Sequence, residues 1–256
     1  ISPQIWAWKE SRITEIKRDI DKMYVILPFE KKFYEDKHHF PVEFVGHPLI
    51  DAIYNQPIVD PVLFRKENQL NDKPIIAILP GSRKQEITKM LAVMLSVVND
   101  FPDHQFVIAG APSQEFSFYQ KFITQENIKF ISNKTYDLLR NATAALVTSG
   151  TATLETALFK VPEVVCYKGS WASYQIAKRI ITLKYISLVN LIMDEEVVTE
   201  LIQEECNTKR IREELQKTLK TNDRNTLLEK YALLEEKLGG IGASEKTATL
   251  IVNDLK

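Results

Sequence analysis

From Pro74 onward the chain alternates. Short apolar runs rich in β-branched residues are followed, five times over, by helical patterns, and this alternation constrains the fold more than any other feature. Ile75–Leu79 leads into a helix over 84–99, where Ile87, Met90, Leu91, Met94 and Leu95 recur at helical spacing. Gln105–Ala109 leads through Gly110-Ala-Pro112 into a helix over 113–126, in which Phe116, Phe118, Tyr119 and Phe122 are expected to face the core. Ile128–Ile131 precedes Thr135–Asn141, Ala144–Thr148 precedes Thr151–Phe159, and Glu163–Tyr167 precedes Ser173–Ile181. The pattern predicts an α/β fold with a doubly wound parallel sheet. Ligands of such sheets lie at the carboxyl ends of the strands, at the point where strand order reverses.

The flanking segments read differently. Residues 1–51 give a helical pattern through Ile13, Ile16, Lys17 and Ile20, and a strand at Met23–Leu27. Pro28–Tyr34 reads as a loop entering a short helix, and Val42–Val45 as a second strand closed by Gly46-His47-Pro48. Together they read as the end of an α/β domain. The polar stretch 52–73 predicts a linker with one short helix near Pro61–Gln69. Residues 74–238 form the main domain, whose tail is expected to be helical at Glu195–Glu205, Lys209–Lys220 and Asn225–Leu238. Gly239-Gly-Ile-Gly242 breaks the pattern. A last helix within 239–256, Ser244–Leu255, is expected to bury Ala248, Leu250, Ile251 and Leu255 and to pack back on the N-terminal domain.

Composition narrows the function classes. The chain has 256 residues, 45% of them hydrophobic, and a net charge of −1. No basic field favours nucleic acid, so any anion site is local. No apolar run approaches the roughly 20 residues of a membrane span. Cys166 and Cys206 lack metal spacing and read as free thiols of a reducing compartment. Asp19-Ile-Asp21 and His38-His39 have no further ligand spaced beside them and read as surface groups, so no metal is expected.

Two strand-to-helix junctions carry the chemistry. In Leu79-Pro-Gly-Ser-Arg-Lys-Gln-Glu86, Gly81 lets the backbone approach a ligand, the helix start favours an anion, and Arg83 adds a forked, charged donor. In Thr148-Ser-Gly-Thr-Ala-Thr-Leu-Glu155, Ser149, Gly150, Thr151 and Thr153 offer hydroxyls and amides suited to a diphosphate. Glu155 can accept two hydrogen bonds from a ribose diol. Each junction alone is equally well an ordinary βα turn or a Ser/Thr-capped helix whose carboxylate meets the dipole. Two in one sheet can grip one nucleotide from both sides.

These turns resemble the C-terminal half of a GT-B glycosyltransferase. More narrowly, Ser2-Pro-Gln-Ile-Trp-Ala-Trp8, Leu27-Pro-Phe-Glu-Lys31, Phe44-Val-Gly-His47, Tyr185-Ile-Ser-Leu-Val-Asn-Leu191 and Glu200-Leu-Ile-Gln-Glu-Glu-Cys206 resemble the lipid-A-disaccharide synthase family, in order from Ile1 to about Leu255. The resemblance implies two Rossmann-like domains, the N-terminal one represented here by a remnant. It implies an inverting transfer of 2,3-diacylglucosamine from UDP-2,3-diacylglucosamine to 2,3-diacylglucosamine 1-phosphate, without cofactor, in lipopolysaccharide synthesis. It places Gly81, Ser82 and Arg83 and the 149–153 turn on the diphosphate, Glu155 on the ribose, and Asn190 on the donor. Glu86, His47, Gln203 and Glu204 are further candidates, the last two on a helix reaching the cleft. Phe130–Asn133 occupies the place where GT-B enzymes often seat a base. Val189 stands where the family commonly has proline.

The chain begins Ile1-Ser2-Pro3 without methionine, and the family's glycine-rich motif and catalytic aspartate are expected to precede Ile1. No catalytic base is therefore named, and this chain alone is expected to bind UDP without turnover. The mixtures of aromatic and basic residues at Trp6, Trp8, Lys9, Arg12, Lys17 and Arg18, and at Trp171, Tyr174, Lys178, Arg179, Lys184 and Tyr185, suit either a bilayer interface with anionic head groups or core aromatics beside solvated lysines, and the acylated substrates that the resemblance implies favour peripheral contact with the cytoplasmic face of the inner membrane. A homodimer through the C-terminal helices is a further expectation. The competing readings are a UDP-N-acetylglucosamine 2-epimerase, another UDP-sugar GT-B enzyme, and a non-catalytic nucleotide-binding module.

Overall fold

The computed structural model describes residues 2–169, 184–220 and 224–255. The expected helix Ser173–Ile181 and most of the second aromatic–basic cluster lie outside them. Contacts divide the described chain into two compact units. One holds residues 2–56, 184 and 232–255, and the other 57–169, 185–220 and 224–231. The boundary between the units falls within the stretch 52–73, which carries one short helix where one is expected. Helix Pro48–Tyr54 closes the first unit, and helix Pro61–Glu67 buries Phe64 in the second.

In the first unit β1 (Tyr24–Val25) and β2 (Glu43–Phe44) pair in parallel, with Tyr24 opposite Glu43. Helix Pro28–Lys32 starts at Pro28 itself, where proline's missing N–H costs nothing. Ile5, Ile16, Met23, Val25, Tyr34 and Phe40 form the core. His47 caps helix Pro48–Tyr54, its Nδ1 accepting from Leu49 N at 3.2 Å, and burial lowers its pKa. That acceptor role needs the neutral ring and makes His47 a structural cap.

The C-terminal helix, Ala243–Asp254, returns to this unit through polar contacts. Asp51 accepts from Gly242 N at 2.7 Å and Ser244 N at 2.8 Å, supplying from a distance the carboxylate that a helix start favours. Lys246 Nζ donates to Phe44 O, and Tyr24 OH to Asp254. The expected apolar burial fails, because only Ala243 is buried while Ile251 and Leu255 are 44% and 82% exposed. Burial pushes the Asp51 pKa up, but the amide donors outweigh it and the net shift is downward. A lowered carboxylate pKa means stability that is present above the ordinary value near 3.8 and lost as pH falls through the folded one. Asp51→Ala is expected to remove about 1–2 kcal/mol and to speed hydrogen exchange across 243–254. Unchanged exchange there would mean that the helix is held by other contacts.

The second unit is a six-stranded parallel sheet in the order β5-β4-β3-β6-β7-β8. Its strands are β3 (Ile75–Leu79), β4 (Gln105–Gly110), β5 (Ile128–Ser132), β6 (Ala142–Thr148), β7 (Glu163–Tyr167) and β8 (Thr199–Ile202). Alternation sends Ile76, Ile78, Phe106 and Ile108 to one face, against helices Lys84–Leu95 and Thr208–Thr218. It sends Ile75, Ala77, Leu79 and Val107 to the other, against Phe64, Leu138 and Leu139. Cys166 and Cys206 are buried free thiols in the first of these layers, with Cys166 Sγ donating to Val164 O.

Three expectations change. Glu195–Glu205 is not a helix. Thr199–Ile202 is β8, paired with β7 at Val164–Thr199 and Cys166–Leu201, and a short unexpected helix, Leu188–Met193, precedes it. The helix over 113–126 shrinks to Phe116–Gln120. Of its aromatics only Tyr119 is fully buried, and Phe116 is exposed.

Candidate functional site

Strand order reverses between β3 and β6. The chain winds outward from β3 through β4 to β5, then returns to the other side of β3 and continues through β6, β7 and β8. At such a point the two connections diverge and leave a crevice beyond the strand ends. Both glycine turns fall there, and they line one cleft of ≈ 500 Å³ together with the end of β4. This is the size range of small-molecule sites.

The first turn is shaped by Gly81, whose φ of +100° is the left-handed region that side chains resist. A Cβ at this position would collide with the Glu86 carboxylate. That carboxylate accepts from Ser82 N at 3.1 Å, so Glu86 occupies an amide which an anion would otherwise use. Ser113 Oγ donates to Ser82 O at 3.0 Å and ties the turn to the loop after β4. Tyr119 OH steadies that loop by accepting from Ala111 N at 2.9 Å. Arg83 is exposed and lines the cleft.

The second turn is held from β7 and from the loop before helix Leu188–Met193. Ser149 N donates to Cys166 O, and Ser149 Oγ to Ile186 O at 2.9 Å. Ser149, Gly150, Thr151 and Glu155 all line the cleft. Thr153 does not. It is fully buried, and its hydroxyl donates back to Gly150 O at 2.9 Å. Burial raises the Glu155 pKa, a hydrogen bond from Tyr136 OH to Oε1 at 3.1 Å pulling the other way.

Asn190 is also placed differently from its expected donor contact. It is fully buried, and both ends of its amide are engaged. Nδ2 donates to Val198 O (2.8 Å) and Glu200 Oε1 (2.9 Å), while Oδ1 accepts from Val197 N (2.8 Å) and Val198 N (3.0 Å). Glu200 accepts as well from Ile186 N and Ser187 N at 2.9 Å each. Since Ile186 O receives the Ser149 hydroxyl, this clasp sets the second turn from behind. Gln203 follows β8 in a turn at φ +53°, and Glu204 is exposed beside it. Neither lies on a helix or among the residues that line the cleft. The Phe130 ring packs on Tyr119 at 4.8 Å, and the segment to Asn133 presents no titratable side chain.

Thr148 was not singled out by the sequence. Among the described residues its hydroxyl, buried at the cleft, has no hydrogen-bond partner, which makes it an available contact for a ligand. Tyr136 was likewise silent, and Glu200 stands in a quoted motif without its role being legible, since nothing local marks a tyrosine or glutamate whose partner is a distant loop.

The sequence model of the lipid-A-disaccharide synthetase family matches residues 1–250. The chain belongs to that family. The lipid-A-disaccharide synthase of Idiomarina loihiensis is 37% identical over 98% of this chain and 67% of its own length. That of Coxiella burnetii is 38% identical over 99% and 68%. The chain therefore spans about two thirds of the length of these relatives. Among solved structures, the UDP-GlcNAc 2-epimerase from Neisseria meningitidis bound to UDP-GlcNAc aligns with a TM-score of 0.60 at 14% identity, over 98% of this chain and 67% of that one. WaaG, a glycosyltransferase involved in lipopolysaccharide biosynthesis, aligns with a TM-score of 0.54 at 16% identity, over 90% and 62%. At these identities the likeness shows the GT-B type of fold alone. The epimerase reading thus has structural kinship only, while membership of the synthetase family makes the chain a glycosyltransferase of lipid A synthesis. No helix among the described residues is long and apolar enough to cross a membrane.

Proposed function

We propose that the cleft holds the UDP moiety of UDP-2,3-diacylglucosamine, and that the chain supplies the donor half of a transferase that passes this sugar to 2,3-diacylglucosamine 1-phosphate. The observation that carries the reading is the convergence of both glycine turns and Glu155 on one cleft at the switch point. Gly81, Ser82, Arg83, Ser149, Gly150 and Thr151 receive the diphosphate, with the Glu86 carboxylate yielding Ser82 N to it. Glu155 receives the ribose diol. In the reaction the acceptor hydroxyl oxygen bonds to the anomeric carbon as the bond to the diphosphate breaks. UDP carries away the electron pair, and a general base takes the hydroxyl proton. Arg83 and the oriented amides stabilise the charge that develops on the diphosphate. The base is assigned to no side chain of the cleft.

Acylated substrates require a lipid surface. Trp8, 59% exposed among the exposed Lys9, Arg12, Lys17 and Arg18, supports peripheral contact with an anionic bilayer. The uncovered Ile251, Val252 and Leu255 support self-association.

UDP binding by calorimetry tests the site. Arg83→Ala and Glu155→Ala are each expected to weaken it about 10- to 100-fold, the worth of a charge-assisted hydrogen bond, without lowering the melting temperature. A folded chain that binds no UDP, or variants that bind like the parent, would overturn the assignment. Transfer is tested by joining the chain to the third of the Idiomarina loihiensis relative that it does not cover and measuring disaccharide formation against UDP release.

A further inference from the structure

Tyr136 belongs to no motif and does not line the cleft, yet among the described residues it makes the one hydrogen bond to the Glu155 carboxylate. Its helix, Thr135–Asn141, follows β5, whereas Glu155 lies on the helix after β6. The contact therefore joins two separate βα units. The phenol is not free to turn away. Its ring packs on Phe159 at 5.1 Å, and the Arg140 guanidinium lies 5.3 Å from that same Phe159 ring while pairing with Asp137 at 3.3 Å. Oε1 is thus engaged, Oε2 has no hydrogen bond among the described residues, and Glu155 lines the cleft.

We propose that Tyr136 is a positioning residue for ligand recognition: its hydroxyl locks the Glu155 carboxylate so that the remaining oxygen accepts the hydroxyl pair of a ribonucleoside diphosphate, and the cleft thereby prefers ribo- to 2′-deoxyribonucleotides. This rests on the reading that Glu155 meets the ribose. Two consequences separate the role from simple packing. A preset carboxylate loses less rotational freedom on binding a diol. The phenol also favours the charged form of Glu155, the better acceptor, against the burial that favours the neutral one. Burial and the nearby carboxylate push the Tyr136 pKa far up, so it remains a donor wherever Glu155 titrates. Arg83 and Glu86 line the same cleft, and Asp137 and Arg140 on the tyrosine's own helix are paired with each other.

Tyr136→Phe keeps the ring and removes only the hydroxyl. In the full chain, the Glu155 carboxyl is followed directly by carbon-13 NMR, assigned through Glu155→Gln. UDP and 2′-deoxy-UDP binding are measured by calorimetry from pH 5 to 9. The variant is expected to melt like the parent. Its Glu155 titration and the acid limb of its UDP binding should both move up by about one pH unit, the worth of one such hydrogen bond. Its preference for UDP over 2′-deoxy-UDP should fall several-fold. An unmoved Glu155 titration overturns the positioning role whatever the ligand data show. A moved titration with a parent that binds both nucleotides equally, or neither, overturns the ribose reading instead. A moved titration with an unchanged preference overturns the link between the two.

Discussion

Glu30→Ala is expected to lower the stability of the unit formed by residues 2–56 and 232–255 by about 3–5 kcal/mol, enough to unfold it at moderate temperature. Glu30 is 1% exposed and stands inside a knot of donors. Oε1 accepts from Ser2 Oγ at 2.6 Å and Trp6 Nε1 at 3.1 Å, and Oε2 accepts from Ile26 N at 3.2 Å and Leu27 N at 3.0 Å. Its reach back to Leu27 N is that of the third residue of a helix covering the helix start. Alanine leaves all of these donors without their acceptor, and each buried orphan costs about 1 kcal/mol or more. The Trp6 ring, edge-on to Phe29 at 4.8 Å, loses its anchor as well. Glu30→Gln is no rescue, because one of its two ends becomes a donor facing donors. Urea unfolding, with exchange of the Ile26 and Leu27 amides as the local readout, checks this. A melting temperature within 1 °C of the parent, with both amides still protected, would refute it.

The same knot explains two of the family signatures. Ser2-Pro-Gln-Ile-Trp and Leu27-Pro-Phe-Glu are two halves of one hydrogen-bonded object, which a linear reading meets as separate strings. What was legible in the sequence was local. The run Ile75–Leu79 cannot be amphipathic, and a glycine between such a run and a helix needs a tight turn, so both glycine turns and the doubly wound parallel sheet could be read directly. What was not legible depends on partners far away in the chain. Glu195, Glu196, Glu200, Glu204 and Glu205 make 195–205 look helical, but Thr199–Ile202 finds the open edge of β7, and pairing overrides propensity. The last helix was given an apolar face because Ile251 and Leu255 recur at helical spacing. It is docked instead by Asp51, Phe44 O and Tyr24, which periodicity does not register. His47 and Asn190 show the same limit for sites. A polar residue in a recognisable motif is equally well a ligand contact or a brace, and only the saturation of its hydrogen bonds decides.

Asn190 gives that distinction its sharpest test. Asn190→Ala removes two donated and two accepted hydrogen bonds, all at 2.8 to 3.0 Å and all within the buried clasp behind the second glycine turn. At about 1 kcal/mol each, the expected loss is about 3–4 kcal/mol for the sheet unit, or about 10 °C in melting temperature for a unit of this size. The effect on UDP follows from geometry. Glu200 keeps its bonds to Ile186 N and Ser187 N, and Ile186 O still receives Ser149 Oγ, so the turn loosens without losing a ligand contact. Measured well below the melting temperature, UDP affinity should fall by about 3- to 5-fold, less than in Glu155→Ala. A donor contact would give the opposite signature, with a large loss of affinity and an almost unmoved melting temperature. Asn190→Asp sharpens the comparison, because it turns the amide donor into an acceptor 2.9 Å from Glu200 Oε1 and sets two carboxylates against each other. It should destabilise at least as much as alanine at neutral pH. It should recover part of the loss as pH falls and one of the two carboxylates takes up a proton, which a residue facing an open cleft would not do.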